Sequence, residues 1–177
     1  MNNGIIFIAG IHGVGKTTLC NIVKEKLNIN TFSSSALIQK ANKQKSFIDK
    51  HADNVKENQD ILLQAIHQYI DEKNITMLDG HFILINGNNE LEQVPVSTFE
   101  GMNILNVILI IDDPQQILER LEDRDNHKYN LEFIKKFQDE EIRWAKEVCK
   151  TIQKEYYIYD KRNNNINFVD VIKRLVY

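Results

Sequence analysis

Residues 10–17 read Gly-Ile-His-Gly-Val-Gly-Lys-Thr and match the phosphate-binding pattern G-x-x-x-x-G-K-[ST] at every fixed position. Each residue type has a chemical reason to stand there. Gly10, Gly13 and Gly15 let the main chain curl around an anion, where a β-carbon would block the approach or strain a positive φ. Lys16 carries an ammonium group to the β- and γ-phosphates, and the Thr17 hydroxyl is an oxygen ligand for Mg²⁺. The chemistry implied is binding of a nucleotide's polyphosphate together with Mg²⁺. The flanks agree: residues 5–9 form a short β-branched apolar run, and residues 17–23 begin a helical pattern. A helix N-terminus therefore meets the loop, with its free amides and positive dipole end aimed at the anion.

Four other places could carry chemistry. Asp79 ends the apolar run 75–78, where a carboxylate can hold Mg²⁺ or orient an attacking group; the plain alternative is a turn or cap aspartate. His81, two residues on, is either a catalytic imidazole at a strand mouth or a packed one. Arg120 and Arg124 lie one helical turn apart and share a face, suited to stacking on adenine or gripping phosphate. Equally, they could pair with the acidic residues around them. Arg143, within Glu140-Glu141-Ile142-Arg143-Trp144, is either a solvated helix charge or a catalytic contact to transferred phosphate. The five histidines and two cysteines have no close metal spacing, so no zinc site is expected. The glycines fail the G-x-G-x-x-G pattern, which argues against a Rossmann dehydrogenase.

The elements that must position these groups follow from periodicity. The sequence predicts strands at 29–32, 74–79, 103–111 and 156–159 besides the opening one. Helices are expected at 16–27, 36–44, 53–73, 114–125, 131–153 and 166–176, and residues 82–101 read mostly as loop. Asp113 before Pro114 is a natural helix start. This alternation predicts an α/β fold of three layers, a five-stranded parallel sheet with helices on both faces. Ligands of such sheets bind beyond the carboxyl ends of the strands, which brings Ser33 to Ser35, Asp79 to Phe82, Asp112 and Asp113 next to the loop. Ser33, Ser35, Gln59, His81 and Phe82 are the expected substrate side, with Lys40, Lys43 or Lys45 as a point charge for an acceptor phosphate.

At 177 residues the chain is expected to be a single domain, 1–177, with a substrate-side insertion at about 33–73. Its 42% hydrophobic and 27% charged content is ordinary for a globular protein. A net charge of −3 and a pI near 6.0 give no basic footprint, so direct nucleic-acid binding is not expected. No secretory signal or membrane-length apolar run is evident, which points to the cytoplasm and to no membrane partner. Cys20 and Cys149 are expected on buried helix faces in a reducing compartment.

Together these residues resemble the archaeal-type adenylate kinases and the nuclear adenylate-kinase-like ATPases related to them. The resemblance rests on Ala9 to Thr18, on Asp79-Gly80-His81 as the family's D-x-H, and on Leu118-Glu119-Arg120-Leu121-Glu122-Asp123-Arg124. Ile142-Arg143-Trp144-Ala145 is similar to the stretch after the lid in archaeal members. The likeness runs along essentially the whole chain and implies a nucleotide-kinase-like P-loop fold. It implies that Gly10, Gly13, Val14, Gly15, Lys16, Thr17 and Thr18 bind ATP phosphates, and that Asp79 and His81 serve the catalytic site. Arg120 and Arg124 would hold ATP beside a short lid at about 125–130. It further implies Mg²⁺, a small acceptor such as AMP or another nucleotide, and a homo-oligomer. The chain departs from the pattern in one respect: it has five arginines and none before Arg120, whereas nucleoside monophosphate kinases usually clamp the acceptor phosphate with earlier ones. Two functions are therefore carried forward, a phosphotransferase and an ATP-hydrolysing switch acting on a protein or ribonucleoprotein partner.

Overall fold

Gly4–Ala9 (β1) is buried at every residue, and its pairing explains why. In the computed structural model, which describes residues 3–44, 55–71, 73–126, 128–163 and 166–177, this strand is the centre of the sheet. After it come α1 (Lys16–Leu27), β2 (Asn30–Ser33), α2 (Ser34–Gln44), α3 (Val55–Tyr69) and β3 (Ile75–Asp79). A hairpin of β4 (Ile83–Ile85) and β5 (Leu91–Gln93) and the short α4 (Val96–Glu100) precede β6 (Ile104–Ile111). The chain then runs through α5 (Pro114–Asp125), α6 (Leu131–Thr151), β7 (Tyr156–Asp160) and α7 (Phe168–Val176). The main sheet is five-stranded and wholly parallel, in the order β2-β3-β1-β6-β7.

Strand periodicity distributes the core to two faces. Ile5, Phe7 and Ala9 pack with Leu62 and Ile66 of α3, Phe99 of α4 and Val148 of α6. Ile6 and Ile8 pack on the other side with Val23 of α1, Ile117 of α5 and Ile172 of α7. The fold is thus the expected α/β sandwich with helices on both faces. Asp113 caps α5 as expected, its carboxylate accepting from the amides of Gln115 and Gln116. Cys20 and Cys149 are buried on helices, and burial pushes their thiols up to about 12 and about 11.

Residues 82–101 differ from the expectation of a loop. Two three-residue strands pair antiparallel there, closed by a turn in which the Asn86 side-chain oxygen accepts from the amides of Asn88 and Glu90. Strands this short carry too few residues to show an alternating pattern. The helix expected from residue 53 is described from Val55 and ends at Tyr69; residues 45–54, with Lys45 and His51, lie outside the described residues, as do His127 of the expected lid and residues 164–165. No helix among the described residues is long and apolar enough to cross a membrane.

Candidate active site

The first turn after β1 is shaped for an anion. Gly15 takes a φ of 99° at the start of α1 and no side chain caps the helix, leaving its leading amides for a ligand. Gly13 has a φ of 78°, and a β-carbon on it would sit 2.7 Å from the Leu121 side chain, so the loop lies flat on α5. Lys16 is buried within this curl. Its Nζ donates to the carbonyls of Gly10 (2.7 Å) and Ile11 (3.3 Å) and stands 3.4 Å from His81 Nε2. Burial lowers its pKa to about 8, against the attraction of Glu141 and Asp79.

The Thr17 hydroxyl donates to Asp79 Oδ2 at 3.2 Å, which joins the start of α1 to the end of β3. Burial raises the Asp79 pKa, opposed by Lys16 and by the Thr17 hydrogen bond. Two hard oxygen donors facing each other beside a phosphate cradle fit Mg²⁺, which keeps several waters and takes one or two protein ligands. Ser34 Oγ donates to the Asp79 carbonyl (2.9 Å) and fixes the turn into Gly80 and His81. The His81 ring lies 4.2 Å from that of His12, with Nδ1 buried and without a hydrogen-bond partner among the described residues. Burial, then the charges of Lys16 and His12, hold its pKa well below the ordinary imidazole value. A neutral ring with an orphaned nitrogen beside the phosphate loop is a ready partner for a ligand atom.

Helix α6 locks these loops from behind. Glu141, 1% exposed, accepts from the amides of Gly10 (3.1 Å), Phe82 (3.0 Å) and Ile83 (2.6 Å). One carboxylate thereby ties the entry of the phosphate loop to the exit of β3. Burial pushes it up to about 7, against the pull of these amides and of Lys16. One turn earlier, Gln138 accepts from the Asp112 amide and donates to the Asp112 carbonyl. One turn later, Trp144 Nε1 donates to the Val94 carbonyl at 2.9 Å and holds the β4–β5 hairpin down.

A basic cluster closes the other flank. Arg120 Nη2 pairs with Asp112 Oδ2 at 2.5 Å, and Lys161 Nζ joins the same oxygen at 3.1 Å while donating to the Val14 carbonyl. Burial pushes the Asp112 carboxyl up, but the hydrogen bonds from Arg120, the Asp113 amide and Lys161 outweigh it and leave it below the usual range. A β-carbon on Gly15 would lie 3.1 Å from Lys161 Nζ and 3.9 Å from Arg120 Nη1, so both cations border the loop. Arg124 pairs with Asp125, which also accepts from the Tyr129 hydroxyl, within the region expected as a lid.

One cavity of about 580 Å³ gathers Gly13, Gly15, Lys16, Thr17, Thr18, Ser33, Ser35, Gln59, Asp79, His81, Arg120 and Arg124. Gly10 and Val14 form the loop's underside, through the Gly10 carbonyl on Lys16 and the Val14 carbonyl on Lys161. Three expected residues are not brought in. Arg143 lies on the exposed side of α6, paired with Glu140 and Glu147 at helical spacing, and does not line the cavity. Phe82 contributes its ring to the core, stacked on Phe99 at 4.5 Å, so only its amide serves the site. Lys40 is exposed, with its ammonium 3.7 Å over the Tyr69 ring. Sequence reasoning passed over Glu141, Gln138 and Lys161. The signal available for the first two was a polar residue on an apolar helical stripe; for Lys161, a cation just past a strand end.

A phosphate-binding loop at the carboxyl edge of a parallel sheet is the arrangement of the P-loop nucleotide-binding folds. The sequence profile of the AAA domain family matches residues 9–138, and the chain belongs to that family. Among solved structures it is similar to a gluconokinase from Sinorhizobium meliloti 1021 at 12% identity, covering 99% of this chain and 90% of that one, with a TM-score of 0.51. It is also similar to a protein of Chloroflexus aurantiacus J-10-fl described only as a proposed kinase. That match has 11% identity, covers 100% of both chains and has a TM-score of 0.58. These likenesses are of fold. No curated protein matches the chain.

Proposed function

We propose that this chain is an ATP-dependent phosphotransferase, related in design to the adenylate and nucleoside monophosphate kinases it resembles. The observation that carries the reading is the cavity at the phosphate loop. Its lining includes the phosphate loop, Lys16 and the Thr17–Asp79 pair, and also Ser33, Gln59 and Thr98. ATP docks with its triphosphate along the amides at the head of α1, and Arg120 and Arg124 border its outer side. Lys16, bonded to the Gly10 and Ile11 carbonyls and 3.4 Å from His81 Nε2, turns its charge to the γ-phosphate. The Thr17 hydroxyl and the Asp79 carboxylate would hold Mg²⁺, which when bound would supply charge neutralisation to the phosphates. The acceptor oxygen attacks the γ-phosphorus in line. Its new P–O bond forms as the β–γ bridge breaks, and ADP leaves with the bridging oxygen and its electron pair.

The same reading has the chain working in the cytoplasm on a dissolved acceptor. ADP formation from ATP–Mg²⁺ tests it. Turnover raised at least about tenfold by one member of a panel of nucleosides, nucleoside monophosphates and sugars supports a phosphotransferase. Turnover indifferent to every acceptor transfers the site to an ATP-hydrolysing switch.

A further inference from the structure

His12 stands at a variable position of the phosphate loop, between Gly10 and Gly13, and its side chain lines the cavity with Lys16, Thr17 and Asp79. Its imidazole meets that of His81 at 4.2 Å between ring centroids, tilted by 41°, and the Phe137 ring of α6 lies 6.2 Å away. His81 in turn brings Nε2 to 3.4 Å from Lys16 Nζ. That ammonium group is held by the carbonyls of Gly10 and Ile11, the two residues just before His12. The His12 ring therefore stands one imidazole away from the charge that meets the outer phosphates. Desolvation by the surrounding walls, then the charges of Lys16 and Arg124, lower its pKa to about 4 against the pull of Asp125. Two cations acting on one ring, from α1 and from α5, mark a place suited to an anion.

Resting on the phosphotransferase reading, we propose that the His12 imidazole donates a hydrogen bond to the γ-phosphate of bound ATP, so that a loop side chain helps to tell ATP from ADP. An imidazole keeps at least one N–H in either protonation state, so the contact needs no titration. Packing against His81 orients the ring before the nucleotide arrives, which limits the entropy lost in making the bond. A hydrogen bond to an ionised oxygen is of the stronger kind, and losing it costs about tenfold or more in affinity. ADP has no γ-phosphate and forfeits the contact, so His12 favours release of the spent donor over the fresh one.

The test is calorimetry on the full chain with Mg²⁺, titrating ADP in parallel with adenylyl imidodiphosphate, whose γ-phosphate cannot be hydrolysed away. His12→Phe keeps a ring against His81 and removes the donor. It should weaken the analogue at least about tenfold and leave ADP within about twofold. His12→Gln and His12→Asn give up the ring but carry an amide N–H at about the reach of Nε2 and of Nδ1. One of the two should hold the analogue within about threefold of the native chain. Equal losses for analogue and ADP in His12→Phe, or unchanged binding of both, overturn the contact. Native affinity in His12→Phe with losses in both amide variants overturns it too, since His12 would then serve only to pack on His81. A native chain that binds neither nucleotide overturns the donor site and this contact together, a result distinct from the others.

Discussion

Glu141→Ala removes an oxygen pair on which three buried amides depend, those of Gly10, Phe82 and Ile83. Water cannot readily replace it, since Glu141 is sealed beneath the loops it joins. Each orphaned amide costs at least about 1 kcal/mol, so the lower bound is about 3 kcal/mol before any cavity cost. In a chain of this length that lowers Tm by roughly 6–12 °C, measurable by circular dichroism or calorimetry. The same loss frees the entry of the phosphate loop and the turn after Asp79, so ATP–Mg²⁺ affinity should fall about tenfold as well. Glu141→Gln keeps the volume but turns an amino group toward amide donors, and should recover only part of the loss. The charge also sets a pH dependence. A glutamate near 4.5 when unfolded and about 7 when buried binds its proton more tightly in the fold. Its stabilising share is therefore complete below pH about 4.5 and lost as pH rises through 7, a decline of about 3 kcal/mol that Glu141→Gln abolishes. An alanine variant melting within about 2 °C of the native chain, with ATP affinity unchanged, would refute the latch.

Other outcomes follow from the same geometry. Lys16→Ala should slow ADP formation at least about 100-fold, the cost of losing one charge contact in the transition state, and an unaltered rate would remove Lys16 from the chemistry. Asp79→Asn should raise the Mg²⁺ concentration needed for half-maximal activity at least about tenfold, as measured by metal titration; an unchanged titration would leave Asp79 a turn residue. Arg120→Ala should weaken ATP binding about tenfold in calorimetry while Arg143→Ala leaves it within about twofold, and equal effects would mean that lining the cavity does not decide function.

What could be read from the sequence was what is local along the chain. Gly10 to Thr17 declares itself because loop, lysine and hydroxyl are contiguous, and α5 because Asp113 and Pro114 mark its start. Parallel strands buried on both faces, such as β1 and β6, show as continuous apolar runs. Glu141 was hidden because its partners stand 58, 59 and 131 residues away, and its acidic neighbour Glu140 made the segment look solvated. The stripe Ile134, Phe137, Gln138, Ala145, Val148 nonetheless places residue 141 on the buried face. Arg143 misled for the opposite reason. It is adjacent in sequence to functional neighbours but, two positions past Glu141, turns to the exposed side, where Glu140 and Glu147 satisfy it.

The central claim is that the head of α1 and Lys16 together receive a nucleoside triphosphate. Calorimetric titration of the folded chain with ATP and Mg²⁺ tests it most directly. Saturable one-to-one binding in the micromolar to low-millimolar range is expected, abolished by Lys16→Ala and competed by ADP. A folded chain giving no binding heat with ATP–Mg²⁺ at about 10 mM, at two temperatures so that a chance zero enthalpy is excluded, would contradict it.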